Sequence, residues 1–231
     1  MHGSIYNVRR LCKEMLLLFA VFFLPGILFQ HGGIRSDAFD AAGYHLAVIV
    51  TALPQTLLIV YILWIQPHED LSRFGFRTVD FPDLLAAVVA TLGMFALLAA
   101  SGAVVLLLPE TMQEAVSTGF RFRLTNAGLL PLVLLSSLAI AYREEAFFRA
   151  YLLTRFEQLS LSPVASVLLG AAAFSLGHIY QGFGGALIAF ILGVYLGWIY
   201  LKRRSVHVVA VAHGLYNFTV LAVGLFGFKL S

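Results

Sequence analysis

The sequence predicts an all-α fold, a polytopic transmembrane bundle of about seven helices. Three observations predict it. Hydrophobic residues make up 60% of the 231 and charged residues only 12%, with a mean hydropathy of +0.90. A soluble domain carries about 25% charged residues, so this chain has too little polar surface to be dissolved in water. The apolar residues also fall in long runs without two-residue alternation, which favours helices over barrel strands. Basic residues gather at alternate ends of those runs, as the topology of a membrane protein requires.

In chain order the apolar stretches are 15–29, 44–65, 84–108, 128–158, 163–180, 184–201 and 206–226. Each approaches or exceeds the ~20 residues that span a bilayer. The first is the shortest and contains Pro25. It follows a basic segment without a small-residue cleavage site, so it reads as a retained first span. No soluble domain, low-complexity tract or long-period repeat interrupts the series, and residues 1–231 read as a single integral membrane domain. The 66–83 loop, with Phe74, Phe76 and Phe81, is expected to lie along the inner interface.

With the N-terminus inside, the inner loops collect Arg9, Arg10, Lys13, Arg73, Arg77, Lys202, Arg203 and Arg204. Arg143, Arg149 and Arg155 of the fourth stretch fall on the same side of the count, and the outside receives Arg35, Arg121, Arg123 and Lys229. The positive-inside rule therefore places the N-terminus in the cytoplasm. The formal charge of +3 reflects this topology, and the densest basic run, Lys202-Arg203-Arg204, is too short for a nucleic-acid patch. One cysteine, Cys12, excludes an internal disulfide and a cysteine metal cluster.

The informative stretch is the fourth, where Arg143, Glu144, Glu145 and Arg149 interrupt an otherwise apolar run. An isolated charge at the bilayer centre costs at least ~3 kcal/mol, so such residues face a partner or a wet cavity. Glu145 and Arg149 are four apart, in the right order for an ion pair on one helical face. Glu144 is rotated by about 100° from that face. It has no base three or four residues later, and is expected to be left for another task.

His178 ends the fifth stretch, and His213 and Asn217 share a face of the seventh at a spacing of four. Taken singly, each can be a residue that only ties helices together. Counted from the cytoplasmic ends, Glu144 lies ~21 Å, His178 ~22 Å and His213 ~11 Å deep, close enough to share one cavity. His45 and His207 read as packing residues, and Tyr142, Phe147, Phe148 and Tyr216 as aromatic packing rather than a substrate groove.

Such a constellation fits hydrolysis. Glu144 can act as general base toward water with His178 sharing the proton. His213 and Asn217 can donate to a developing oxyanion. Glu145 with Arg149 fixes the helix and balances charge. Two histidines and a glutamate can also hold a catalytic zinc, although no His-Glu-x-x-His motif is present, and the metal-free route is preferred.

In order, Glu144-Glu145-x-x-x-Arg149, Phe174-x-x-x-His178 and His213-x-x-x-Asn217 resemble the three motifs of the CPBP family, the type II CAAX prenyl proteases and the bacteriocin-processing and self-immunity (Abi) proteins. The motif-bearing region is 128–226. The resemblance implies an intramembrane endopeptidase with Glu144 and His178 as catalytic pair, His213 and Asn217 at the oxyanion, and a membrane-associated protein or peptide as substrate. The bacterial inner membrane is the expected location. Two rivals stand beside it, a non-catalytic immunity or scaffold protein of the same fold and a small proton- or metal-coupled transporter.

Overall fold

The computed structural model describes residues 8–29, 36–65, 70–116 and 124–226. It is all-helical, and no strand occurs among the described residues. Among the described residues five helices are long and apolar enough to cross a membrane: α3 (Ala42–Trp64), α4 (Phe81–Leu106), the continuous rod Ala127–Gln158, α9 (Gly182–Arg203, with the turn Ile179–Gln181 before it) and α10 (Val206–Val223). The rod contains α6 (Leu130–Glu145), a π-helical stretch (Ala146–Leu153) and α7 (Thr154–Gln158).

Five is fewer than the seven expected, and the two differences have physical causes. The first stretch breaks into α1 (Val8–Phe22) and the six-residue α2 (Leu24–Phe29), with Pro25 just inside the second. Helix α1 buries Leu11, Met15, Leu18 and Phe22 along one stripe and leaves Arg9, Arg10 and Lys13 outside, an amphipathic pattern rather than an all-round apolar one. The fifth stretch yields only α8 (Pro163–Leu176), 14 residues long. At ~1.5 Å per residue that is shorter than a ~30 Å hydrocarbon core. The chain then turns through Gly177 and His178 and reverses into α9. A short α5 (Glu110–Val116) follows α4.

Helix α6 packs between α3 and α10, α10 also packs on α4, and α8 pairs with α9. Lipid-facing surfaces are apolar: Leu46, Val50, Leu53 and Leu57 run at helical spacing along α3 and are all about half exposed or more. The interior is aromatic. Phe23 packs on Phe147 and Phe148 at ring distances of 4.9 and 4.7 Å, and Phe148 meets Phe174 at 5.2 Å. Phe147 and Phe148 are thus core residues, as expected.

One end of the bundle is basic. Glu14 of α1 accepts from Tyr151 Oη (2.8 Å) and Arg155 (3.0 Å), fastening α1 beside α7. Arg204 pairs with Glu157 at the same end. The loop 70–80 docks there through Tyr200 Oη to Phe74 O (3.1 Å) and Val206 N to Gly75 O (3.0 Å). Of the expected interfacial loop, residues 66–69 lie outside the described residues. So do Arg35, Arg121, Arg123 and Lys229, on which the outer half of the charge count rests.

Two close approaches need glycine. A Cβ on Gly193 of α9 would lie 3.2 Å from Ala171 Cα, and one on Gly214 of α10 would lie 2.7 Å from Leu138 Cδ2 and 3.1 Å from its Cα. Small residues let helices approach where no hydrophobic effect drives them together. Gly214→Val is expected to cost about 1–3 kcal/mol by overpacking, read as a lower midpoint of denaturation in detergent. Gly43→Ala, with nothing within 4 Å of a new Cβ, should not lower the midpoint.

Candidate active site

The centre of the site is a buried ion pair. Glu145 Oε1 accepts from Arg149 Nη1 at 2.9 Å, with Glu145 fully buried and Arg149 2% exposed. The pair is the one expected from the spacing of four. Arg149 also donates to the backbone carbonyl of Gly193 (3.3 Å) and lies over the Phe174 ring at 4.7 Å. The same Glu145 oxygen meets His213 Nδ1 at 2.8 Å. One carboxylate and one guanidinium therefore tie the central rod to α8, α9 and α10. The π-helical stretch begins at the next residue, and such widened turns recur at functional sites.

Glu144 points elsewhere, as its rotation predicts, but it is not left alone. Arg143, its neighbour in sequence, bonds Glu144 Oε1 at 2.9 Å. The expectation of an unpaired carboxylate looked only forward along the helix. The Arg143 side chain folds back at the next position, with its guanidinium over Phe23 at 5.3 Å. The other Glu144 oxygen is 3.9 Å from His213 Nε2.

His178 sits in the turn after α8 rather than within a helix. Its Nδ1 donates to Phe174 O at 2.9 Å, which leaves Nε2 with a lone pair. His213 presents the same logic through another partner. A carboxylate only accepts, so Nδ1 carries hydrogen toward Glu145, and Nε2 donates only when the ring is an imidazolium. Asn217 needs no such condition, since its amide donates in every protonation state.

Two cavities meet here. The smaller, ≈140 Å³, is bordered by Glu144, His178 and Asn217. The larger, ≈540 Å³, is bordered by His178, His213 and Asn217 with Met94, Leu98 and Leu192. So Glu144, His178, His213 and Asn217 are brought to one locality, with Glu145 and Arg149 behind them. Among the described residues no three His, Cys, Asp or Glu side chains converge closely enough to hold a metal ion.

Several residues reach the site without having been expected there. His45 is buried, bonds Ser136 Oγ (2.7 Å) and Phe39 O (3.0 Å), and borders the smaller cavity together with Ser137 and Tyr180. Tyr216 stacks near Phe95 at 5.0 Å and borders the larger cavity rather than only packing. His207 is a packing residue, bonded to Tyr142 Oη at 3.1 Å. The polarity of 136–137 in an apolar stretch and the depth of His45 were the available signals.

Removing one partner of the buried pair strands the other in an apolar interior. Arg149→Met and Glu145→Gln are each expected to destabilise by about 3–5 kcal/mol, with the double exchange recovering part of that loss, measured as denaturation midpoints in detergent.

Residues 126–219 match the model of the Rce1-like family, described as type II CAAX prenyl endopeptidase Rce1-like. No curated protein and no solved structure matches the chain. The matched segment carries all three motifs, and it holds Glu144, Glu145, Arg149, His178, His213 and Asn217. Over that segment, less than half of its length, this integral membrane chain is similar to the CPBP/CAAX-protease family.

Proposed function

We propose that the protein is an intramembrane endopeptidase that hydrolyses a peptide bond of a membrane-associated protein or peptide, using a water activated by Glu144 and His178. The observation that carries this reading is the convergence of Glu144, His178 and Asn217 on one cavity of mixed lining inside a lipid-facing bundle. His178 and Asn217 also face a cavity of ≈540 Å³ with apolar walls, within the ~300–1,000 Å³ range of sites that enclose a ligand. A scissile bond held from the apolar side reaches His178 and Asn217, and water reaches it from the side of Glu144.

In the reaction, Glu144 takes a proton from water as the oxygen attacks the peptide carbonyl. His178 Nε2, whose lone pair is free, shares that proton. The tetrahedral oxyanion receives a hydrogen bond from the Asn217 amide and a second from His213 Nε2 when that ring is an imidazolium facing Glu145. The proton then passes to the leaving amine, and the products are a carboxylate and an amine. Arg143 balances Glu144, and Arg149 balances Glu145, so each carboxylate has its own counter-charge before substrate arrives. The scheme uses water and these side chains alone, without a metal. The basic end of the bundle, with Arg77, Arg155 and Arg204, faces the cytoplasm in this reading.

The test compares purified wild type with Glu144→Gln in detergent on a library of membrane-spanning peptides, with and without a chelator. Wild type should cleave, Glu144→Gln should lose at least ~10²-fold, and the chelator should leave the wild-type rate unchanged. Equal cleavage by both proteins would remove Glu144 as the base. Loss of activity with the chelator, restored by zinc, would replace the water mechanism with a metal one. A folded wild type that cleaves no library member would favour the non-catalytic immunity or scaffold reading.

A further inference from the structure

The two cavities share His178, Gln181, Asn217 and Val220, and elsewhere their walls differ in kind. Glu144 borders only the smaller one, and His213 only the larger. The larger is walled by Met94, Leu98, Ile188 and Leu192 from α4 and α9. The smaller is mixed: beside Phe39, Val48, Ile140 and Leu221 it has Tyr44, His45, Ser136, Ser137 and Tyr180, an imidazole and four hydroxyls, in the space that Glu144 borders. Apolar walls suit peptide side chains, and hydroxyls around a carboxylate suit water.

The volume fits that division. A buried water needs at least ~10–15 Å³ in a polar pocket with two to four partners, and the smaller cavity has ≈140 Å³. Its polar groups are unequally used. His45 and Ser136 satisfy each other. Ser137 is 3% exposed, and its hydroxyl has no hydrogen-bond partner among the described residues. Buried hydroxyls are bonded to protein or to ordered water. Ser137 and Glu144 are seven residues apart, two turns on the same face of α6, or ~10.5 Å along its axis. The chamber lies toward the end of the bundle where Phe39 and Tyr44 lead into α3 and where Leu221 closes α10, opposite the Arg204 end. At that end Asp40 holds the backbone N–H groups of Thr125 (2.7 Å) and Asn126 (3.1 Å), joining the start of α3 to the start of the central rod.

We propose that the smaller cavity is the water-supply site of the hydrolysis, separate from the substrate cavity, with Ser137 as a positioning residue that anchors water two turns from Glu144. The proposal rests on the protease reading given above. The chamber water is the reactant that adds across the peptide C–N bond, and the chamber refills without the substrate leaving its own cavity. Ser137 acts only through the water it holds.

The test is steady-state kinetics on a cleaved peptide, with denaturation midpoints for every variant. Val48→Phe fills the chamber from α3 and should lower kcat about tenfold with KM unchanged. Ser137→Val removes the anchoring hydroxyl and should lower kcat in the same direction, while Ser137→Thr, which has the same shape as valine but keeps a hydroxyl, should hold kcat near the wild-type value. Leu98→Phe, on the larger cavity alone, should instead raise KM about tenfold. A raised KM for Val48→Phe would show that peptide occupies the smaller chamber and would overturn the proposal. So would unchanged kcat in Ser137→Val, which decides the matter if Val48→Phe does not fold. Cleavage by wild type with chamber variants unaffected defeats this proposal alone. Absence of cleavage by wild type defeats the protease reading and this one with it.

Discussion

The structure depends on the ion pair between Glu145 and Arg149. In water such a pair contributes little, but here neither member has water to fall back on, and each has further duties. Arg149 reaches the Gly193 carbonyl and lies over Phe174, while Glu145 holds His213. Removing any one contact leaves a buried polar group exposed to hydrocarbon or to an apolar core. Four helical segments are thereby held at a spacing that only small residues permit, with Gly193 against Ala171 and Gly214 against Leu138. The pair is a poor source of stability compared with an apolar core of the same shape. What it specifies is relative position, and position is what places His213 beside Glu144.

Position in turn separates two carboxylates that are adjacent in sequence. Glu145 faces inward to the helix junction and is consumed by structure. Glu144, a hundred degrees around the helix, faces a cavity shared with His178 and Asn217 and keeps one oxygen away from Arg143. Two residues of one chemistry acquire different tasks because a helix rotates them into different surroundings. The same division appears in the imidazoles. His178 is oriented by a backbone carbonyl and His213 by a carboxylate, so the two rings are fixed by different partners, and only His213 has an anionic partner that would support an imidazolium.

Much of this was legible in the sequence, and the misses have a common origin. Charges in an apolar run cannot be tolerated without partners, so Glu145 and Arg149 announce their pairing through a spacing of four. The ordered motifs at 144–149, 174–178 and 213–217 carried the family, and residues 126–219 match it. Helix number was over-read because hydropathy measures composition, whereas α8 stops at the turn of Gly177 and His178 and α1 is amphipathic. Arg143 was not foreseen as the partner of Glu144 because helical periodicity says nothing of a long side chain that folds back on its neighbour. His45 belongs to a helix about 90 residues earlier than Ser136, and no periodicity within one segment reports a meeting across that distance. The π-helical stretch has no sequence signature at all.

The family match ends where the chemistry ends, and this has a consequence for specificity. Glu144, His178, His213 and Asn217 all lie inside 126–219. Both cavities, however, are closed by helices outside it. Helix α4 contributes Met94, Phe95 and Leu98 to the larger cavity, while Phe39, Tyr44, His45 and Val48 bound the smaller. These four candidate site residues are therefore positioned by one half of the chain, and the shape and polarity of the spaces around them are set in large part by the other. Similarity to a family over this segment does not transfer a substrate, because the cavity walls are built in large part from segments that the family model does not describe. The substrate of this protein has to be sought from the apolar side of α4, α9 and α10, using what fits ≈540 Å³ between them.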